Sequence, residues 1–272
     1  PVYVRKARFG YRMGNGVFED GRITALSDPF TKNHMGITAE NIAAKYGIPR
    51  EEQDDYALGS QMTAAAARDA GKFKDEFVPV EYPVNKKETA IFDTDEFIRA
   101  NTTLESLAKL KPAFKKDGTV TAGNASGVND CGAAVILMKE SEALRRGLKP
   151  IVRVVDAAAA GVDPAYMGTG PIPSTKKLLA KNGLTADDIG LYELNEAFAA
   201  QALCCIRELG LNPEKVNVNG SGISIGHPIG ATGAMITIKL MNEMVRRQER
   251  YGVATLCIGG GQGLSVLFEL CK

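Results

Sequence analysis

Asn217-Val-Asn-Gly-Ser-Gly-Ile-Ser-Ile-Gly-His-Pro-Ile-Gly-Ala-Thr-Gly-Ala234 sets five glycines and one of the chain's two histidines between an apolar strand-like run and a long helix-like run. A turn so rich in glycine beside an imidazole suits a backbone that must approach a ligand closely. The run before it reads as a strand over 216–218, and the run after it as a helix over 231–247. Further upstream the pattern gives a strand over 151–159, a helix over 174–182, a strand over 189–194 and a helix over 196–209. Downstream it gives strands over 253–258 and 264–270. The order βαβαβαββ predicts an α/β unit, with a mostly parallel sheet covered on both faces. In such sheets ligands gather at the carboxyl ends of the strands. Asn195, His227 and Cys257 each fall at or just past such an end.

The chain before residue 128 is less regular. Residues 1–24 are rich in Arg, Gly and aromatics without a clear period. Thr38 is read as the cap of a short helix over 39–45. Pro49 opens a longer helix over 50–70, which Gly71 stops. A short strand is expected over 77–83 and a helical turn over 102–107, before a lysine-rich solvated stretch over 109–116 that holds Lys109, Lys111, Lys115 and Lys116. The whole reads as an elaborated insertion with little sheet. Residues 133–138, Ala-Ala-Val-Ile-Leu-Met, are expected to form a buried strand, followed by a helix over 140–146 that Gly147 ends.

The 272 residues are 44% hydrophobic, enough for one large or two ordinary cores. Thirty-three basic against 32 acidic residues leave a net charge of +1, which argues against a nucleic-acid or anionic-membrane partner. No apolar run reaches the ~18 residues of a membrane span. Five cysteines at irregular spacing form neither a disulfide framework nor a zinc pattern, so free thiols in a reducing cytoplasm and no metal are expected. Nothing resembles a signal peptide, and the first residue is Pro1.

Cys257 opens Cys257-Ile-Gly-Gly-Gly-Gln-Gly263. A cysteine there is either a small buried hydrophobe or, with unobstructed backbone N–H groups around it, a proton shuttle beside an oxyanion site. His227 precedes a helix, where the positive end of the dipole favours a neutral ring or a bound anion. Asn195 is either a helix cap or a holder of a substrate or water oxygen, and Glu196 either orients its neighbours or favours the helix start. His34 and the small-residue turn 121–130 read by themselves as an ordinary loop histidine and a turn.

Taken together, His34-Met-Gly-Ile-Thr-Ala-Glu-Asn41, the 121–130 turn, Asn195-Glu-Ala-Phe-Ala199, Gly226-His-Pro-Ile-Gly-Ala-Thr-Gly233 and the 257–263 turn resemble the thiolase family, most of all its biosynthetic acetyl-CoA acetyltransferases. The resemblance covers essentially the whole chain in order. It implies a five-layered fold of two similar halves, with 1–127 as a CoA-binding loop domain, 128–149 as a remnant of the N-terminal half and 150–272 as the C-terminal half. It implies Claisen condensation of two acetyl-CoA to acetoacetyl-CoA and CoA, the reverse thiolysis, no cofactor beyond the CoA thioesters, and a homo-oligomer. By resemblance Cys257 is the base at the α-carbon, and His227 activates the nucleophile and joins an oxyanion site. Asn195 holds the water of an oxyanion site, and Gly259 donates its N–H to an oxyanion. Arg99 and Ser106 match residues near the nucleotide and pantetheine. Leu26, His34, Met35, Phe114, Ala122, Ala125 and Ser126 match the pantetheine channel and acyl pocket, whose end Ala197 and Phe198 line.

One departure matters. The family's acyl-carrying cysteine lies upstream of the stretch matching 1–20, and no cysteine precedes Cys131 here. Cys131 stands where the family usually has glycine and is not read as a replacement. The expectation is therefore that this polypeptide by itself is inactive, with three explanations: a fragment of a complete thiolase, a subunit completed by another chain, or a non-catalytic CoA-binding remnant. The fragment is preferred, because the other active-site residue types are all present and Pro1 is an unnatural start. A degradative 3-ketoacyl-CoA thiolase is the alternative within the enzyme class, and the His34-Met35 pair favours the short-chain type by resemblance.

Overall fold

The computed structural model describes residues 2–4 and 6–271; Pro1 and Lys272, the outer limits of the expected domains, lie outside them. Strands are β1 Val2–Val4, β2 Phe18–Asp20, β3 Val80–Asn85, β4 Glu88–Phe92, β5 Val152–Gly161, β6 Leu191–Leu194, β7 Tyr251–Ile258 and β8 Gln262–Leu270. Helices are α1 Gly21–Ala25, α2 Met35–Tyr46, α3 Arg50–Asp69, α4 Leu104–Ala108, α5 Glu140–Arg145, α6 Pro171–Lys181, α7 Ala199–Leu209, α8 Gly222–Ile225 and α9 Thr232–Arg247.

The central sheet has the order β5-β8-β7-β6. β6 and β7 are parallel, whereas β8 runs antiparallel to both β5 and β7. The sheet is thus mixed rather than mostly parallel. The cause is local: Gly259, Gly260 and Gly261 are the whole link between Ile258 and its partner Gln262, and so short a link can only return the chain antiparallel.

The sheet separates two apolar clusters. Tyr192, Leu194, Val253 and Leu267 face one side with residues of α2, α6 and α7, while Leu191, Ala254 and Phe268 face the other with Ile236, Leu240 and Met244 of α9. All four residues of β6 are buried, as a strand covered on both faces must be. Each fully buried Leu or Val contributes about 1.5–3 kcal/mol.

The expected strand 216–218 is a single parallel bridge, Tyr192 to Val216. Asn217 takes over where it would continue. Its backbone has φ +50, and its side chain accepts from Leu194 N at 2.9 Å and donates to Leu194 O at 2.8 Å. A side-chain clasp therefore replaces a ladder at the end of β6.

Upstream, α2 starts four residues before the expected helix 39–45, with His34 rather than Thr38 as its cap: His34 Nδ1 accepts from Gly36 N at 3.1 Å. α3 matches the expected helix closely. The strand expected over 77–83 is shifted to β3 and has an antiparallel partner, β4, that the sequence reading missed. Residues 133–138 form no strand. Ile136 and Leu137 are 87% and 76% exposed, and among the described residues no strand pairs with them. Apolarity supplies a face to bury, but a strand also needs a neighbour's N–H and C=O groups. Later helices also move: α6 starts three residues early, and the helix expected over 196–209 begins at Ala199, leaving residues 195–198 as a non-helical link past β6.

Candidate active site

Three segments meet at the carboxyl edge of β6 and β7. Asn195 continues β6 and donates its backbone N–H to Thr255 O of β7 at 3.0 Å. Cys257 lies two residues further along β7. The segment 125–127 crosses in front: Ala125 bridges Phe198, Ser126 N donates to Ala197 O at 3.0 Å, and Gly127 O accepts from His227 N at 3.1 Å. One short extended segment thus links the β6 extension to the histidine turn.

His227 faces Asn195, with Asn195 Nδ2 3.4 Å from His227 Nε2. The other ring nitrogen, Nδ1, lies 2.7 Å from Thr232 Oγ1, whose hydroxyl donates to Pro228 O at 2.8 Å. A hydroxyl has one proton, so Thr232 can only accept from the ring. The imidazole is therefore the Nδ1–H tautomer, and its Nε2 lone pair points at Asn195. Burial lowers the pKa of His227, which keeps the ring neutral.

Asn195 is fully buried, and its Oδ1 has no hydrogen-bond partner among the described residues. It is not the helix cap; Phe198 occupies that position. A Cβ on Gly222 would sit 2.6 Å from Glu196 O and 3.0 Å from Asn195 Oδ1, so only glycine permits α8 to come so close. A buried orphan acceptor beside an imidazole lone pair is a polar corner lacking a donor.

Next to this corner lies an apolar cluster. Cys257 packs with Met35, Ala125, Met167, Ala197 and Phe198, and Phe114 closes over them. Phe114 stacks on His34 at 4.8 Å and meets Phe198 edge-on at 6.0 Å. A Cβ on Gly36 would lie 2.2 Å from Phe114 Cγ, so that ring depends on glycine at the start of α2. A Cβ on Gly259 would lie 3.4 Å from Met35 Cε, which places the glycine turn against the same cluster. Burial pushes the Cys257 thiol up to about 12. Leu26 stands behind, its carbonyl accepting from Met35 N at 2.8 Å.

Thus Asn195 with His227, and Cys257 with His34, Met35, Phe114, Ala125, Ala197, Phe198 and Gly259, form two adjoining groups. Arg99, Ser106 and Ala122 are exposed and stand apart. The Arg99 guanidinium lies over the Phe97 ring, and the Ser106 hydroxyl completes the capping box of α4. Cys131 is exposed as well. Partial burial and then the Asp95 charge raise its pKa, the reverse of what activates a thiolate.

Sequence reasoning missed Thr232, whose hydroxyl fixes the ring tautomer. The available signal was a threonine five residues past His227, where the helix begins. It also left Glu196 undecided, yet this carboxylate is 1% exposed and hydrogen-bonded to residues from three segments. Among the described residues no cluster of His, Cys, Asp and Glu could hold a metal ion, and no helix is long and apolar enough to cross a membrane.

The chain matches two family models, "Thiolase, N-terminal domain" over residues 1–141 and "Thiolase, C-terminal domain" over 148–270. It is 53% identical over 270 residues to the beta-ketothiolase BktB of Cupriavidus necator, covering 99% of this chain and 68% of that protein. It is also 53% identical to the acetyl-CoA acetyltransferase of Escherichia coli, covering 97% of this chain and 67% of that one. Its fold superposes on the Bacillus anthracis acetyl-CoA acetyltransferase with a TM-score of 0.92 at 48% identity, covering all of this chain and 68% of that structure. Human mitochondrial 3-ketoacyl-CoA thiolase in complex with CoA gives a TM-score of 0.87 at 44% identity, again over all of this chain and 68% of that structure. Both domain models are represented, so the expectation of an inactive polypeptide draws no support from these matches.

Proposed function

The chain belongs to the thiolase family, and from that premise we propose that it is an acetyl-CoA C-acetyltransferase, acting on acetyl-CoA, acetoacetyl-CoA and CoA. The observation that carries the reading is the corner formed by Asn195 and His227 beside the Cys257 pocket. Two properties of this corner suit enolate chemistry.

The first is the base. A thiol with a pKa near 12 is a weak acid, but its thiolate is a correspondingly strong base, which a carbon acid requires. In condensation the Cys257 thiolate removes a proton from the α-carbon of acetyl-CoA and becomes the thiol. The α-carbon then attacks the carbonyl carbon of an acetyl thioester; the new C–C bond forms, the C–S bond breaks and the thiol leaves. In thiolysis the same thiol returns the proton to carbon.

The second is charge stabilisation. The negative charge that develops on the thioester oxygen needs donors already aimed at it. The Gly259 N–H, at the start of the turn after β7, is assigned to one such oxygen. His227 Nε2 accepts a proton from a thiol in the resting tautomer. Once protonated, the same nitrogen donates to an oxyanion, with Asn195 beside it. None of the five cysteines is assigned the acyl-carrying role, so the residue assignments cover the carbon–carbon step.

Met35, Phe114, Met167 and Phe198 pack around Cys257, an apolar lining suited to a short acyl group. Pantetheine is assigned to the side of Leu26, His34, Ala125 and Ser126, and the nucleotide end to Arg99, Ser106 and Ala122 at the surface. Residues 1–127 act as the CoA-binding loop domain, 128–149 belong to the N-terminal half and 150–272 are the C-terminal half. A homo-oligomer in a reducing cytoplasm, where the five free cysteines stay reduced, completes the proposal. A degradative 3-ketoacyl-CoA thiolase is the second reading, favoured by the similarity to the human mitochondrial enzyme.

Deuterium uptake from D2O into the α-position of acyl-CoA, followed by NMR, tests the reading. Uptake into acetyl-CoA supports the carbon-acid step that both readings share, and no uptake rejects both. Tighter binding of acetoacetyl-CoA than of 3-oxooctanoyl-CoA in calorimetric titration supports the acetyltransferase, and the reverse order favours the degradative alternative.

A further inference from the structure

We propose that Glu196 is a positioning residue: its buried carboxylate holds Asn195 and the His227 turn at their working separation. It does so by adjoining Asn195 in the chain while accepting hydrogen bonds from Asn217 and Ile223, on the segment that leads to His227, and from α3.

The carboxylate has four donors. Tyr56 O–H, from α3, and Asn217 Nδ2 each donate to Oε1 at 3.0 Å. Ser60 O–H, also from α3, lies 2.7 Å from Oε2, and Ile223 N of α8 donates to Oε2 at 3.2 Å. Two donors per oxygen satisfy a carboxylate's acceptor sites, so the arrangement suits the charged form. Burial opposes this by raising the pKa of Glu196, and the Ser60, Ile223, Asn217 and Tyr56 bonds counter it.

Two arms leave this centre. On one, Asn195 directly precedes Glu196 in the chain, and Asn217 clasps Leu194 N and O just before it. On the other, Ile223 lies four residues before His227. α8 is gripped a second time from α3, where Gln61 Nε2 donates to Ile223 O at 3.1 Å. The two arms are also joined by Ser221 Oγ, which donates to Leu194 O at 3.4 Å, and by the 125–127 segment, and they face each other at the 3.4 Å approach of Asn195 to His227; the carboxylate is the buried charged junction between them. α3 contributes no residue to the pocket around Cys257, yet it supplies two of the four donors.

Glu196→Gln shows what the charge does. An amide keeps one acceptor oxygen and puts an NH2 against two donors. The Tyr56 and Ser60 hydroxyls can rotate to accept from it. Ile223 N–H and Asn217 Nδ2–H cannot. The variant must therefore lose either the Ile223 bond that holds α8 or the Asn217 bond that braces its clasp on Leu194. A misplacement on the order of 1 Å costs about 10²-fold in rate where reacting groups must be aligned.

The proposal rests on the Asn195–His227 pair being the working corner, but its test reads the imidazole itself and needs no turnover. The full chain is labelled with 15N-histidine, and the ring tautomers are read by long-range 15N–1H correlation; His34→Asn assigns the two rings. In the wild type His227 gives the Nδ1–H pattern. In folded Glu196→Gln the expected result is a shifted His227 Nε2 signal, as the Asn195 contact is lost, with the Nδ1–H pattern kept by Thr232 and the His34 signals unmoved, and at least a tenfold loss of acetyl-CoA deuterium uptake. Wild-type His227 signals in folded Glu196→Gln overturn the proposal, whatever the activity. If that variant does not fold, the double variant Tyr56→Phe/Ser60→Ala removes two donors and leaves the charge. A smaller shift of His227 in the same direction supports the proposal, and unmoved signals overturn it. If His227 moves in Glu196→Gln while the wild type takes up no deuterium, positioning stands and the acetyltransferase reading fails.

Discussion

Thr232→Val is the sharpest perturbation of the histidine. Valine matches threonine in shape and removes only the hydroxyl. Two hydrogen bonds go with it, the 2.7 Å contact to His227 Nδ1 and the 2.8 Å bond to Pro228 O. Thr232 is fully buried, so water does not replace them readily. At about 0.5–1.5 kcal/mol for each bond, the loss of stability is about 1–3 kcal/mol. For a chain of this size each kcal/mol lowers Tm by about 2–4 °C. The chemical effect is separate. Without an acceptor at Nδ1 nothing holds the ring proton there, and Nε2 becomes N–H in part of the population. Such a ring cannot take a proton from a thiol at Nε2. A loss of outer hydrogen bonds that orient a working histidine costs about 10- to 100-fold, which is the expected drop in turnover. Calorimetry gives the first quantity and histidine 15N NMR the cause of the second. A folded Thr232→Val variant that retains the pure Nδ1–H tautomer refutes the assignment of Thr232 as acceptor.

Other residues give independent tests. Gly36→Ala places a methyl group against the Phe114 ring and should cost about 1–3 kcal/mol by overpacking, with weakened acetyl-CoA binding by calorimetric titration. An unchanged Kd separates Phe114 from the acyl pocket. Glu40 accepts from Thr119 N and Val120 N at 2.9 Å, so Glu40→Gln should lower stability by about 1–3 kcal/mol and speed hydrogen exchange at residues 119–120. Unaltered protection there contradicts the anchoring role. Burial lowers the folded-state pKa of both His34 and His227, so the unfolded chain binds protons more readily as pH falls through the ordinary histidine value near 6.5. Stability contributed by the neutral rings is complete above that pH and declines below it. A urea-unfolding series from pH 8 to pH 5 should show a smaller decline in His34→Asn than in the wild type. Identical slopes refute this origin.

The sequence carried the βα order from residue 150 onward because each element there is apolar and bounded by Gly or Pro. α3 was equally legible from Pro49 at one end and Gly71 at the other. What failed was decided by partners rather than by periodicity. The reversal of β8 depends on the length of the 259–261 link, and the loss of the 216–218 strand depends on the Asn217 side chain reaching Leu194. The 133–138 run carried the right composition but has no strand paired with it among the described residues. The start of α2 was misplaced because His34 caps with its ring nitrogen, a role better known for Ser, Thr, Asp and Asn. At the site, Asn195, His227 and Cys257 were visible as islands at strand ends. Glu196 and Thr232 act through tertiary contacts, with residues as far away as Tyr56 and Ser60, and no local spacing reports those.

The most direct test of the central claim follows the α-protons of acetyl-CoA in D2O with the wild-type chain and with Cys257→Ala. The account predicts deuterium incorporation by the wild type and a loss of about 10²–10⁴-fold in the variant, the range for removing a positioned acid–base group. Wild-type exchange rates in Cys257→Ala, with the protein folded and binding acetyl-CoA, would show that this thiol does not take the proton.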